Sequence, residues 1–146
     1  MQRPPVPRTA ALLGFSGVIP FAALAAAVWA APPAYLDLLI DAQIAYGAAI
    51  LSFLGAAHWG ASLNKPQPEA ARLIWSVIPS LLAWIGLLLP PVYGLATLIA
   101  GVIACYAVDE RAVSAGFLPL WYSGLRQPLS LLVCLMLALT LLKLVL

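Results

Sequence analysis

His58 is the only histidine of the chain, and it lies within an apolar run from Ile40 to Leu63. An ionisable group at such a place is costly and is a candidate for function. A neutral imidazole carries one N–H donor and one nitrogen acceptor, and hydrocarbon satisfies neither. Three chemistries are open to it: a structural hydrogen bond, a proton relay or ligand contact, and ligation of a metal, haem or pigment. Bis-histidine haem within one chain is excluded by the count, so haem would need a second copy or Met136. His58 sits about six residues inside one end of its run, about 9 Å deep at the helical rise. Cys105 and Cys134 sit at similar depths in other runs. Equal depth permits a His/Cys/Cys site but does not bring the groups together, and no metal ligand is assigned. The cysteines form no CxxC pair, and small buried or lipid-facing side chains account for both.

The charged residues cluster just beyond. Asp109, Glu110 and Arg111 end one apolar run and Arg126 opens the next. An Asp109–Arg126 bridge is expected there, the alternative being a solvated cluster at the headgroups. Tyr106 and Asp109 share the depth of His58 and are its expected partners within the chain. Asp37 and Asp41 fall at the start of the helix that carries His58, where the dipole favours carboxylates without any function. The sequence holds no phosphate-binding glycine loop, HExxH, serine elbow or convincingly paired acids, so hydrolysis and phosphoryl transfer are unsupported.

The elements that must position these groups are membrane spans. The chain has 146 residues, 64% of them hydrophobic, 8% charged, with a mean hydropathy of +1.04. Soluble domains carry about a quarter charged residues, so lipid must be the solvent for most of these side chains. A net charge of +2 gives no case for nucleic acid. The spacing predicts helices over 9–31, 40–63, 73–89, 92–108 and 128–146, each of about 17–24 residues and long enough for a core of about 30 Å. The fold class is therefore an all-α integral membrane protein of about five transmembrane helices in a single domain. The stretch 112–126, broken by Gly116, Pro119 and Gly124 and carrying Trp121 and Tyr122, reads as an interfacial segment before the last helix. Arg3 and Arg8 before the first run have the charge order of a signal peptide. That run is longer than a signal core, so it is read as a retained first helix.

Orientation follows from the basic residues. With the N-terminus cytoplasmic, Arg3, Arg8, Lys65, Arg72, Arg111 and Arg126 all fall on the inner side, six of the seven Lys and Arg residues, and Lys143 alone lies outside. The C-terminus then faces the periplasm or its equivalent.

Within the spans, Pro20 and Pro79 should bend their helices, as packing kinks or gating hinges. Ala48, Ser52, Ala56 and Gly60 form a small-residue stripe suited to a neighbouring helix, and Gly47, Leu51, Gly55, His58 and Ser62 form a second. Val18-Ile19-Pro20 recurs as Val77-Ile78-Pro79, and Tyr46-Gly47 as Tyr93-Gly94. The two intervals differ, which weakens the case for an internal duplication.

The stretch Tyr46 to Gly60, ending Ala57-His58-Trp59-Gly60, resembles the signature of the transmembrane protein 69 family. Leu118 to Arg126, containing Trp121-Tyr122-Ser123-Gly124, resembles its second motif, and Gly17 to Phe21 its first-helix motif. The resemblance spans nearly the whole chain. It implies a bacterial or mitochondrial multi-span protein of an inner membrane and implies no activity or cofactor. The residues marked for a ligand or polar network are His58, Trp59, Tyr106, Asp109, Trp121, Tyr122 and Arg126, with no catalytic residue assigned. The expected role is an accessory or assembly subunit packed against a larger membrane complex, in contact with lipid and with a membrane-protein partner or further copies. The alternatives are a small oligomeric transporter or channel, or a cofactor protein built on His58.

Overall fold

The computed structural model describes residues 4–146, so Arg3 lies outside the described residues. Six α-helices follow in order: α1 (Arg8–Ser16), α2 (Ile19–Ala30), α3 (Leu36–Leu63), α4 (Ala70–Leu88), α5 (Pro91–Ser114) and α6 (Leu120–Val145). Taken with α1 and α2 as one span, five helical segments are long and apolar enough to cross a membrane. The protein is an all-helical multi-span membrane protein.

The expected first helix is interrupted at Gly17–Val18. Pro20 has no N–H to donate and is best placed at a helix start, and it stands in the first turn of α2. The phenol of Tyr46 on α3 donates to the Gly17 carbonyl at 2.9 Å and so takes up an acceptor at the break. A single 3₁₀ turn, Pro33–Tyr35, leads into α3. Pro90 closes the short connection between α4 and α5. The stretch 112–126 divides between neighbours: its first residues finish α5, a turn follows, and its last residues open α6. Gly116 makes that turn at φ +71°, a left-handed backbone that glycine adopts freely, and Pro119 caps the start of α6.

Helix α3 is the centre of the bundle, packing on α2, α4 and α5, while α6 closes the ring against α5 and α2. Phe21, Leu51, Leu95, Leu98 and Leu137 are fully enclosed between them. The face of α3 used for packing is the stripe Gly47, Leu51, Gly55, His58 and Ser62, all buried. At Gly55 a Cβ would run into the Ser76 carbonyl oxygen of α4, with Pro79 Cγ 3.1 Å away. Pro79 thus sits packed against α3 within a helix that continues through it. The other stripe is buried only at Ala48. Ala56 and Gly60 are exposed, and a Cβ at Gly60 would meet nothing within 4 Å. Glycine wins this contact because only the absence of a Cβ lets two backbones touch.

Candidate functional site: a buried histidine, aspartate and arginine

The basic end of the bundle brings together the end of α3, the end of α5 and the start of α6. Asp109 stands at the junction. Its Oδ1 lies 2.8 Å from His58 Nε2, and its Oδ2 accepts from Arg126 Nε at 2.7 Å. His58 and Asp109 are each 1% exposed and Arg126 is 4% exposed. An ionised carboxylate only accepts, so the imidazole carries its proton on Nε2 in the neutral state. Aspartate and arginine cancel in charge. A buried ion pair survives in low dielectric only with good geometry and further hydrogen bonds, and both carboxylate oxygens here have a short, charge-assisted or imidazole partner.

Helix geometry explains why these three meet. His58 is on the glycine stripe that α3 turns inward. Asp109 follows Leu98, Val102 and Cys105 along the buried face of α5. Arg126 shares the inner face of α6 with Ser123, Ser130, Val133 and Leu137. Around the triad, Ser62 donates to the His58 carbonyl at 2.8 Å, and Ser123 donates to Glu110 Oε1 at 2.5 Å. The ring of Phe117, from the turn between α5 and α6, stacks on His58 at 6.0 Å between centroids and 21° between planes. The Arg72 guanidinium lies 3.9 Å from the Phe117 centroid and pairs with Glu69 at 2.9 Å. A cation and an aromatic ring therefore cover the histidine at this end.

Of the residues marked from the sequence, His58, Asp109 and Arg126 meet directly. Tyr106 is half-buried, and the partner of His58 is Asp109. Trp59 is 46% exposed and turned outward. Trp121 and Tyr122 pack edge to face at 5.9 Å and line a cavity that also touches Arg126. Cys105 is buried and Cys134 half-buried, both as free thiols, and among the described residues no three His, Cys, Asp or Glu side chains gather as metal ligands.

A second polar pair was not marked. Gln43 and Thr140 are both fully buried, and the threonine hydroxyl donates to Gln43 Oε1 at 2.5 Å. The amide nitrogen points at the carbonyls of Phe21 and Met136, at 3.5 and 3.4 Å. The available signal was an amide within an apolar run. Fifteen positions along α3 separate Gln43 from His58, roughly 22 Å at the helical rise.

The family described as "Protein of unknown function (DUF3429)" matches residues 6–142. Transmembrane protein 69 of Xenopus tropicalis is 42% identical over 85 residues, covering 56% of this chain and 33% of that protein. Transmembrane protein 69 of Mus musculus is 30% identical over 132 residues, covering 82% of this chain and 50% of that protein. The chain belongs to the transmembrane protein 69 family. It spans a third to a half of the length of these transmembrane protein 69 relatives. The family match takes in His58, Asp109 and Arg126 together with the Gln43–Thr140 pair. No solved structure matches the chain.

Proposed function

We propose that this protein is an accessory or assembly subunit of a larger membrane complex, in a bacterial inner membrane, with its N-terminus cytoplasmic and its C-terminus periplasmic. The carrying observation is how its polar groups are disposed. His58, Asp109 and Arg126 Nε hold one another at the basic end, and Gln43 and Thr140 hold one another near the other. Between the two clusters stand Leu51, Leu98, Val102 and Val133, all buried. A transporter or channel would need a polar path through that layer. Short connections at 31–35, 64–69, 89–90 and 115–119 leave little room for a solvent-side active site.

What the chain offers to others is its lateral surface. Ala56 and Gly60 form a shallow notch beside the exposed Phe53, Trp59 and Leu63, a form that helix packing in lipid uses. The orientation rests on the basic residues: Arg8, Lys65, Arg72, Arg111 and Arg126 gather at the end that holds the triad. The test is extraction from native membranes in mild detergent, affinity purification and mass spectrometry. A defined membrane-protein partner in stoichiometric yield is the expected result. Recovery of a lone monomer or homo-oligomer counts against the reading.

A further inference from the structure

A cavity of about 380 Å³ lies between α1, α2 and α6, with α3 and α5 behind it. Its walls are apolar and rich in rings: Phe21, Phe53, Trp121 and Tyr122 all line it. Two polar side chains interrupt the apolar lining, Arg126 and Ser130. Arg126 spends Nε on Asp109, yet among the described residues its Nη2 has no hydrogen-bond partner, and neither has the hydroxyl of Ser130. Both side chains line the cavity and are 4% and 7% exposed; their donor atoms are covered in this conformation, so an acceptor reaches them when the two side chains turn toward the cavity. They are four residues apart on α6, so they stand one above the other on one face. Ser16, Ser52, Ser62 and Ser114 each turn back to the carbonyl four residues before them. Ser130 does not. A buried donor left unpaired is expensive, and two of them at one cavity call for acceptor oxygens.

Charge decides which acceptor. The Arg126 cation is already balanced by the Asp109 carboxylate at 2.7 Å. A second anion there would face that carboxylate across one guanidinium, and like charges so placed repel strongly in low dielectric. A neutral carbonyl oxygen meets the donors without that penalty. The aromatic lining suits a flat ring. The volume falls within the range of small-molecule pockets, about 300–1,000 Å³, and holds one substituted ring and the start of a tail, too little for a whole two-chain lipid. On the outer side Leu13 and Phe53, 71% and 72% exposed, form the rim, so the opening gives onto lipid and the rest of a tail can remain in the bilayer.

We propose that this cavity binds the head of a membrane-soluble quinone, whose ring carbonyls accept from Arg126 Nη2 and the Ser130 hydroxyl while its chain leaves between α1 and α3 into the lipid. The site needs no electron transfer, and it is independent of whether the protein has a partner subunit. The test uses the full chain in phosphatidylcholine nanodiscs, with decylubiquinone as probe and empty nanodiscs as the partition control. Saturable uptake of one probe per chain above the control is expected. Ser130→Ala removes one donor that has no partner among the described residues, so thermal stability without the probe should hold or rise, while uptake weakens about tenfold. Ser130→Phe should fill the cavity and abolish uptake. Uptake equal to that of empty nanodiscs would overturn the proposal, as would equal binding by folded Ser130→Ala. Displacement of decylubiquinone by lower concentrations of oleate would also overturn it, and would make the cavity an anionic acyl-chain site.

Discussion

Replacing Asp109 by asparagine changes one oxygen to an NH₂ group with almost no change in volume, and it isolates what the carboxylate does. In the variant the amide oxygen can face only one partner. Held toward His58 Nε2, it leaves the NH₂ pointing at Arg126 Nε, donor against donor, where 2.7 Å now separates acceptor and donor. The guanidinium, 4% exposed, is then a buried cation without its counter-charge. Removing one partner of a buried ion pair costs about 3–5 kcal/mol, whereas an ordinary hydrogen bond between transmembrane helices averages about 0.6 kcal/mol. The expected loss for Asp109→Asn is at the upper of these values. Arg126→Gln should lose a similar amount by stranding the carboxylate, and the double variant should lose less than the sum, with a coupling of about 2 kcal/mol or more. Reversible unfolding in mixed detergent micelles, with helix content as the readout, gives all three numbers. Strict additivity, or a single-variant loss below about 1 kcal/mol, would show that the groups are solvated separately and that the triad is not a unit.

His58→Gln should retain most of the stability, because an amide N–H can still donate to Asp109, while His58→Leu should lose about 2 kcal/mol or more as the carboxylate loses a donor; thermal unfolding of purified protein measures both. Gly55→Ala should destabilise by a similar amount, since its Cβ would strike the backbone of α4 at Ser76, and Gly60→Ala, in open space, should be neutral in the isolated chain on the same assay. Thr140→Val should weaken the bundle by about 1 kcal/mol by leaving Gln43 Oε1 without its donor, and the additional change Gln43→Leu should recover part of that. Reporter fusions within 64–69 and 115–119 should read cytoplasmic, and those at 32–35 and after Leu146 periplasmic; a cytoplasmic reading at Leu146 would overturn the orientation.

The spans were legible because hydropathy is a local property: each run is apolar along its own length, and proline or charge ends it. The depth of His58, Tyr106 and Asp109 could likewise be counted along each run; depth named both Tyr106 and Asp109 as partners and could not choose between them, and it is Asp109 that meets the ring. Which face α3 turns inward was less legible. Both of its small-residue stripes satisfy the same spacing, and only the contact of Gly55 with Ser76 and Pro79 separates them. The break at Gly17–Val18 was hidden because Pro20 fits a kink in a long helix as well as the first turn of a new one. Gln43 with Thr140 and Phe117 over His58 join residues far apart in sequence. Such pairings depend on helix rotation, which no single run encodes. The meeting of Arg126 and Ser130 at a cavity has the same origin, since a void belongs to several helices at once.

The order in which the clamp is made bears on how the chain enters the membrane. Synthesis runs from α3 to α6, so His58 and then Asp109 precede their cation, which stands 17 positions after the aspartate. Until α6 follows, α5 carries at its end a carboxylate with only the imidazole of His58 to meet it. When α6 follows, it brings an arginine that lipid alone receives poorly. Each of the two late helices is a poor solitary span at that end and a good one beside the other. Insertion of α5 and α6 as a joined pair, docking on an α3 already in place, is the route that never leaves either charge alone in hydrocarbon.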